Sequence, residues 1–340
     1  MAFTPSSGSI DPKFTREMLT GENNLSLKKL SRPYEPPRDG INQPYDLEDL
    51  LHLYNKGNKH GWGISSYTET GHYYSRSANS AHNKDRAFDR AVENVIRQNP
   101  SVVLSHVRLD PQFRYDKTIV DQKSPLEIIS QKSADRPEFD VREVNSHPFV
   151  HGKWSFMHNG LFDKSAIRDI VKSSEMNHIK GSTDSELFFY SFLYRLKKAF
   201  GTTDPEKLSI KQKRKIFAQS INDVIKNSKP TAFELDYNPM GVKGYLNNPP
   251  KLNFVLSDGE NLFIYRKFHN LFLGVKELPK GEKEYIIASE HTQSGKSKDK
   301  NDKTKWLRIP QNHILTIARN KNTGKRSPVL MPLHMALDND

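Results

Sequence analysis

Apolar residues recur at spacing four in "NKDRAFDRAVENVIRQN" (83–99), where Phe88, Val92 and Ile96 share one face. That period predicts an amphipathic helix. "GSTDSELFFYSFLYRLKKAF" (181–200) predicts a longer one, with Leu187, Phe188, Phe192, Leu193 and Leu196 turned to a core. Thr183 and Glu186 fit a capping box at its start. "SIKQKRKIFAQSINDVIKNS" (209–228) reads as a third helix, and "YDLEDLLHLYNKGN" (45–58) and "DKSAIRDIVKSS" (163–174) as shorter ones. "GWGISSYT" (61–68) and "GHYYSRS" (71–77) flank a Glu-Thr-Gly turn and predict a hairpin. "SVVLSHVRL" (101–109) reads as a buried strand, and "HPFVHGKWSFMHNGLF" (147–162) as two short strands with His-Asn-Gly as a tight turn after the second. The C-terminal part is strand-rich: "KLNFVLSDG", "NLFIYRKF", "LFLGVKEL", "EYIIASE" and "HILTIAR".

Three stretches break the pattern. Residues 1–45, with "SRPYEPPRDGINQP", read as a polar N-terminal arm holding at most one short helix. Residues 110–140 read as a long polar loop, and "QSGKSKDKNDKTK" (293–305) as a charged one. The division expected is therefore an arm at 1–45 and one domain at 46–335. Strands, then helices, then strands point to a layered α+β fold rather than alternating βαβ units.

Charge and composition narrow the function. The 52 basic and 40 acidic residues give a net charge of +12. The basic residues are spread out and read as a lysine-rich solvated surface. "KQKRK" (211–215) and "KSKDK" (296–300) keep an anionic partner in view, but no nucleic-acid-binding signature accompanies them, so nucleic acid is not expected. There is no cysteine, which excludes disulfides, thiolate metal sites and a cysteine nucleophile in this chain. No apolar run nears the roughly 18 residues that span a bilayer. The first residues lack the pattern of a secretory signal. A soluble, cytoplasmic protein is expected.

Candidate chemistry is concentrated in a few short motifs. In "SHVR" (105–108) a strand ends in Arg108, whose guanidinium can bind a carboxylate by two parallel hydrogen bonds or sit in a surface ion pair. In "HNG", Asn159 and Gly160 can place a side-chain amide beside a backbone N–H, which suits a developing oxyanion, or can simply form a hairpin turn. Asp184 in "GSTDSE" can receive an ammonium or favour the helix dipole. His147 and His151 lie four apart, but Pro148 argues against a helix carrying both and no acidic ligand accompanies them, so no metal is expected. His147 and His158 read as loop-orienting residues.

Taken in order, "HGWGISSY" (60–67), "SHVR", "NSHPF" (145–149), "FMHNGLF" (156–162), "GSTDSE", "VLSDGENLF" (255–263) and "YIIASE" (285–290) resemble the class II glutamine amidotransferases, in particular stand-alone amidotransferase-like proteins. The resemblance covers about residues 45–295. It implies the four-layer αββα sandwich of N-terminal nucleophile (Ntn) hydrolases, with two antiparallel sheets between helices. It implies that Asn159 and Gly160 form the oxyanion hole, that Arg108 holds the α-carboxylate of glutamine and that Asp184 holds its α-amino group. His147, His158, Trp62 and Gly63 would line the substrate site. The expected ligand is glutamine or a γ-glutamyl compound. No cofactor is implied, and a protein partner could supply an ammonia acceptor.

The resemblance breaks at residue 2. The family's nucleophile is an N-terminal cysteine, exposed by loss of the initiator Met, with its own α-amine as base. Here residue 2 is Ala2. A methyl group cannot attack a carbonyl. Three accounts fit: a cysteine changed to alanine, an inactive binding or scaffold protein on the same fold, or an Ntn hydrolase using a processed Thr4 or Ser6. His60 is a second departure, standing where the family usually has Asp before Gly-Trp-Gly.

Overall fold

A computed structural model describes residues 1–21, 26–31, 60–108, 143–168, 170, 177–229, 231–232, 247–248, 250–289 and 304–338. The expected helix at 45–58, the loop at 110–140 and the boundary at residue 46 lie outside the described residues. So do the end of the helix expected at 163–174 and most of the charged loop at 293–305.

The described strands form two antiparallel sheets. Sheet one contains β1 (Ala2–Pro5), β2 (Trp62–Tyr67), β3 (His72–Ser77), β4 (Val102–Val107), β11 (Phe272–Glu277), β12 (Lys283–Ala288) and β13 (Lys305–Arg308), in the order β13-β11-β12-β1-β4-β2-β3. Sheet two contains β5 (Phe149–His151), β6 (Trp154–Leu161), β9 (Lys251–Ser257), β10 (Leu262–Lys267), β14 (His313–Arg319) and β15 (Arg326–Pro332), in the order β15-β14-β10-β9-β6-β5. A separate pair joins β7 (Thr231–Ala232) to β8 (Asn247–Asn248). The described helices are α1 (Pro12–Thr20), α2 (Leu27–Leu30), α3 (Ala87–Arg97), α4 (Ser165–Arg168), α5 (Asp184–Phe200), α6 (Ile210–Asn227) and α7 (Leu333–Asp338).

Strand alternation sorts the apolar residues into three cores. Val103 and Val107 of β4 join Trp62, Ile64 and the buried faces of α1 and α3. Val102 and Leu104, on the other face of β4, join Met157, Val255 and Ile264 from sheet two. Phe156, Phe254 and Phe263 of sheet two pack on Phe188, Phe192 and Phe217 of α5 and α6. The layers are thus helix, sheet, sheet, helix: an α+β sandwich. No described helix is long and apolar enough to cross a membrane.

Three local readings are corrected. First, residues 1–21 and 26–31 are not an irregular arm. Residues 2–5 are fully buried strand in the middle of sheet one, paired with β12 and β4, and α1 and α2 follow. Four residues are too few to show a period, and the partners lie about 100 and 280 positions away. Second, the α5 capping box is half made. Thr183 Oγ1 accepts the Glu186 N–H, but the Glu186 carboxylate reaches past Thr183 to the N–H groups of Lys180 and Gly181. The complete box stands at α6, between Ser209 and Gln212. Third, Asn159 and Gly160 form no turn; they lie inside β6, paired with Asn253 and Leu252 of β9.

Glu284, on β12, is 1 % exposed. One carboxylate oxygen accepts the Asp11 N–H at 3.2 Å; the other has no hydrogen-bond partner among the described residues. Burial pushes this carboxyl from its usual 4.5 up to about 7, with Asp11 and Glu17 adding to the rise and Lys276 and the Asp11 N–H opposing it. A folded value above the unfolded one stabilises fully below 4.5, and that stabilisation is lost as pH rises through about 7. Glu284→Gln keeps the neutral form at every pH. Denaturant unfolding should find it more stable than the parent at pH 8 by about 1–3 kcal/mol, and equal to it near pH 4. A difference that does not change with pH would sink this account.

Candidate active site

One end of the sandwich gathers most of the candidate residues. The Met1 amine donates to Ser105 O at 2.7 Å and Met1 O accepts the Ser105 N–H at 2.8 Å, so the strand pairing of β1 with β4 continues to the first residue. Burial lowers the Met1 ammonium from 8.0 to about 5. Ala2 is fully buried and faces the gap between the sheets, in the core that holds Leu104 and Met157. Two residues on from Leu104, alternation puts His106 on the same face. Its ring lies 4.7 Å from that of His147, which in turn lies 4.7 Å from Phe149.

Arg108 follows β4 and is 6 % exposed. Its N–H donates to Gly61 O and its carbonyl accepts the His60 N–H, which fixes the backbone at the sheet rim. Burial drives the His106 imidazole down to about 3, with the N-terminal amine, His158 and Arg108 adding to the effect. Burial lowers His147 as well, followed by His106, His158 and Arg108. These groups are therefore close enough for their charges to act on one another. At neutral pH both imidazoles are uncharged. Neither nitrogen of His147 nor Nδ1 of His106 has a hydrogen-bond partner among the described residues.

His158 faces the helical layer of sheet two. Its Nε2 lies 2.9 Å from Lys251 O, and its Nδ1 lies 2.9 Å from Ser185 Oγ. A carbonyl only accepts, so Nε2 carries the proton. Burial lowers the His158 pKa, opposed by Asp184 and the Lys251 carbonyl, so the ring is neutral at pH 7. Nδ1 and Asp184 Oδ1, at 2.9 and 3.1 Å from Ser185 Oγ, then compete for its one hydroxyl proton. The Asp184 carboxylate, 4.0 Å from Nδ1, accepts the Phe162 N–H at 2.9 Å and the Ser185 N–H at 2.8 Å. This network ties the first turn of α5 to β6 and β9.

Asn159 is exposed and shares a face with Met157, toward sheet one. Gly160 has φ +148°, and a Cβ there would lie 1.9 Å from Lys251 O and 2.7 Å from His158 Nε2. Glycine is therefore required by the approach of the β9 backbone. Gly63 serves a similar end: a Cβ would lie 2.3 Å from His147 O. Asn145 Oδ1 accepts the Ser182 N–H at 2.9 Å and docks the "NSHPF" segment on the segment before α5.

The first amine, Arg108, His147 and His158 thus gather about His106, Asp184 and Gly160 are reached through His158, Asn159 points from β6 to the opposite face from His158, and Gly63 supports the His147 backbone. Trp62 does not join them. Its ring packs edge-to-face on Phe88 at 5.2 Å, on the helical side of sheet one. His106 was missed by sequence reading, although the alternation of β4 gives its face. Among the described residues no group of three or more His, Asp or Glu side chains is placed to hold a metal.

These features define a sandwich with a buried polar group of residues at one end, and among the known proteins it is similar to are glutamine amidotransferases. Over 131 residues the chain is 29 % identical to the Probable glutamine amidotransferase DUG3 of Saccharomyces cerevisiae; the match takes in 37 % of this chain and spans 35 % of that relative's length. A predicted glutamine amidotransferase from Pseudomonas aeruginosa superposes with a TM-score of 0.42 at 16 % identity, over 77 % of this chain and 86 % of that one. The glutamine phosphoribosylpyrophosphate amidotransferase of B. subtilis superposes with a TM-score of 0.43 at 10 % identity, over 96 % of this chain and 48 % of that one. No family model matches the chain.

Gly160→Ala would force β6 from β9. Chemical denaturation should find a loss of about 2–4 kcal/mol, against about 1 kcal/mol for Gly152→Ala, where φ is +57° and nothing lies within 4 Å. Equal losses would show that the close approach to Lys251 is not limiting.

Proposed function

We propose that this group of residues is a glutamine amidotransferase-like site that binds glutamine or a γ-glutamyl amide, with residue 2 at the nucleophile position. The observation that carries this reading is the place of Ala2: at the start of a central strand, facing the sheet-to-sheet gap one residue from a buried amine. Arg108 would take the ligand's α-carboxylate and Asp184 its α-ammonium. Asn159 and Gly160 would take the oxyanion. With Ala2 in place the chain binds without turnover.

The buried amine supports the same reading. At a value of about 5 it is uncharged at neutral pH, the state a general base needs. Removal of Met1 would transfer that amine to residue 2. The hydroxyls of the processed-nucleophile account are already used by the fold. Thr4 donates to Ser101 O, and Ser6 Oγ accepts the Lys283 N–H. Trimming to either would also delete residues that pair with β4 and β12.

Binding is tested first. Calorimetry should register glutamine on the parent and roughly tenfold or weaker binding on Arg108→Ala, since a charge-assisted contact is worth about 1.5–3 kcal/mol. Equal affinities would remove Arg108 from the site. Chemistry is tested by Ala2→Cys with Met1 removed, which should release ammonia from glutamine or a γ-glutamyl amide. In that background Asn159→Ala should lower turnover about 10²–10³-fold while changing binding little, because the oxyanion forms near the transition state. A trimmed, folded Ala2→Cys protein that releases no ammonia would leave a binding scaffold as the function.

A further inference from the structure

Two buried cations of this chain are answered by carboxylates. Lys213 Nζ lies 2.6 Å from Asp258 Oδ2. Burial and then Arg319 lower the Arg326 pKa to about 10, and the Glu260 and Asp258 carboxylates oppose that fall. Arg266, at the end of β10, is 2 % exposed and differs. Its Nε donates to His269 O at 2.7 Å and its Nη1 to Ile309 O at 2.8 Å. Its Nη2 is buried with no hydrogen-bond partner among the described residues. Two neutral carbonyls orient this guanidinium and leave its charge uncompensated, which is the costly way to bury a cation.

Its surroundings add to that cost. Burial lowers the Arg266 pKa and the nearby Arg308 lowers it further, with no carboxylate among the described residues opposing them. Arg308 is exposed and adjoins Ile309, whose carbonyl receives Arg266 Nη1. On the same strand Lys305 has Glu277 at 3.5 Å, whereas no carboxylate pairs with Arg308 among the described residues. The sequence gives the reason. "NLFIYRKFHNLFLGVK" (261–276) and "TKWLRIPQNHILTIAR" (304–319) contain no Asp or Glu. These segments meet at the guanidinium: the Ile309 N–H donates to Leu271 O at 3.0 Å and the Asn312 N–H to Arg266 O at 2.9 Å.

We propose that Arg266 and Arg308 form a binding site for a doubly charged phosphate group, where the turn between β10 and β11 meets the end of β13. The inference is independent of the reading given to the candidate active site. Two guanidiniums require two negative charges, which a single carboxylate does not supply. The tetrahedral oxygens of phosphate accept from two guanidiniums at once. Arg308 would hold the group from the solvent side and Arg266 Nη2 from within. Nη2 is covered, so the phosphate must shift part of the turn to reach it. That turn is strained: Phe268 has φ +81°, a conformation bulky residues rarely adopt, and its N–H is held by Gln311 Oε1 at 3.2 Å. Strain of this kind gathers at ligand clamps and switch segments.

The test is calorimetry on the full chain with inorganic phosphate and with glycerol phosphate, in sodium chloride at matched ionic strength so that screening is constant. Inorganic phosphate should bind with a dissociation constant of about 1 mM or below, the order expected of two charge-assisted contacts. Arg308→Gln should weaken binding about tenfold. Because Arg308 is exposed, that variant should melt with the parent when phosphate is left out. Lys305→Gln removes the same charge from the same strand and should bind within about twofold of the parent. Hydrogen exchange reads the inner contact: phosphate should change exchange at Phe268, Ile309 and Asn312. Binding of inorganic phosphate alone assigns a free anion, and binding of glycerol phosphate as well assigns the phosphate group of a monoester. No binding by the parent, equal binding by Arg308→Gln, equal loss in Lys305→Gln, or exchange unchanged at those three amides overturns the site. Arg266 is then a tie between the turn and β13 and nothing more.

Discussion

The insertion of residues 1–5 between β4 and β12 is the pairing on which the rest depends. Without β1, sheet one separates into β13-β11-β12 and β4-β2-β3, because β1 is the strand that bonds to both. The pairing continues to the first amine, which is buried against Ser105 O. Burial of that amine is costly for its charged form and gives it its low pKa. The same insertion sets residue 2 and His106 on the face of sheet one that meets sheet two, so the architecture and the candidate site share one cause.

A second constraint is close backbone approach. Gly63 lets the His147 carbonyl reach β2, Gly160 lets β9 reach β6, and Gly181 leaves room for Asn145 Oδ1 at 2.2 Å from a would-be Cβ. Each removes a side chain where two segments must touch. The polar atoms brought in by these approaches are largely paired: Asn145 with Ser182, Glu186 with residues 180 and 181, His158 with Ser185 and Lys251. Among the described residues, His106 Nδ1, both His147 nitrogens and Asn253 Oδ1 are exceptions. Buried polar atoms without partners are rare enough to call for an explanation, and a polar ligand would supply one.

Much of this was legible in the chain before folding, and the rest was hidden for physical reasons. Phe88 and Val92 and the Leu187–Leu196 stripe are buried as their period predicts, because a helix long enough to repeat the pattern reveals its face. Arg108, Asn159 and Asp184 stood out by residue type and motif order. That they share a neighbourhood with His106 could not be read, since the strands carrying them pair across long separations. "HNG" misled because Asn-Gly most often signals a turn; here glycine answers the Lys251 carbonyl. β15, with Pro328 and Pro332, escaped notice because proline argues against a strand except at a sheet edge, which is where β15 lies.

The two buried titratable groups near β1 act in opposite senses. The Met1 amine, lowered from 8.0 to about 5, stabilises fully above 8.0, and that stabilisation is lost as pH falls toward 5. Glu284, on the neighbouring strand, stabilises fully below 4.5 and loses that as pH rises through about 7. Between about 5 and about 7 the folded chain holds both groups uncharged. His106, at about 3, is neutral there too. In that window the central strand is flanked by a neutral amine, a neutral carboxyl and a neutral imidazole. Raising the pH ionises Glu284, beneath α1, while the amine beside residue 2 stays neutral. A rise in pH therefore loosens the helical side of β1 and leaves the amine and His106 on its other side uncharged.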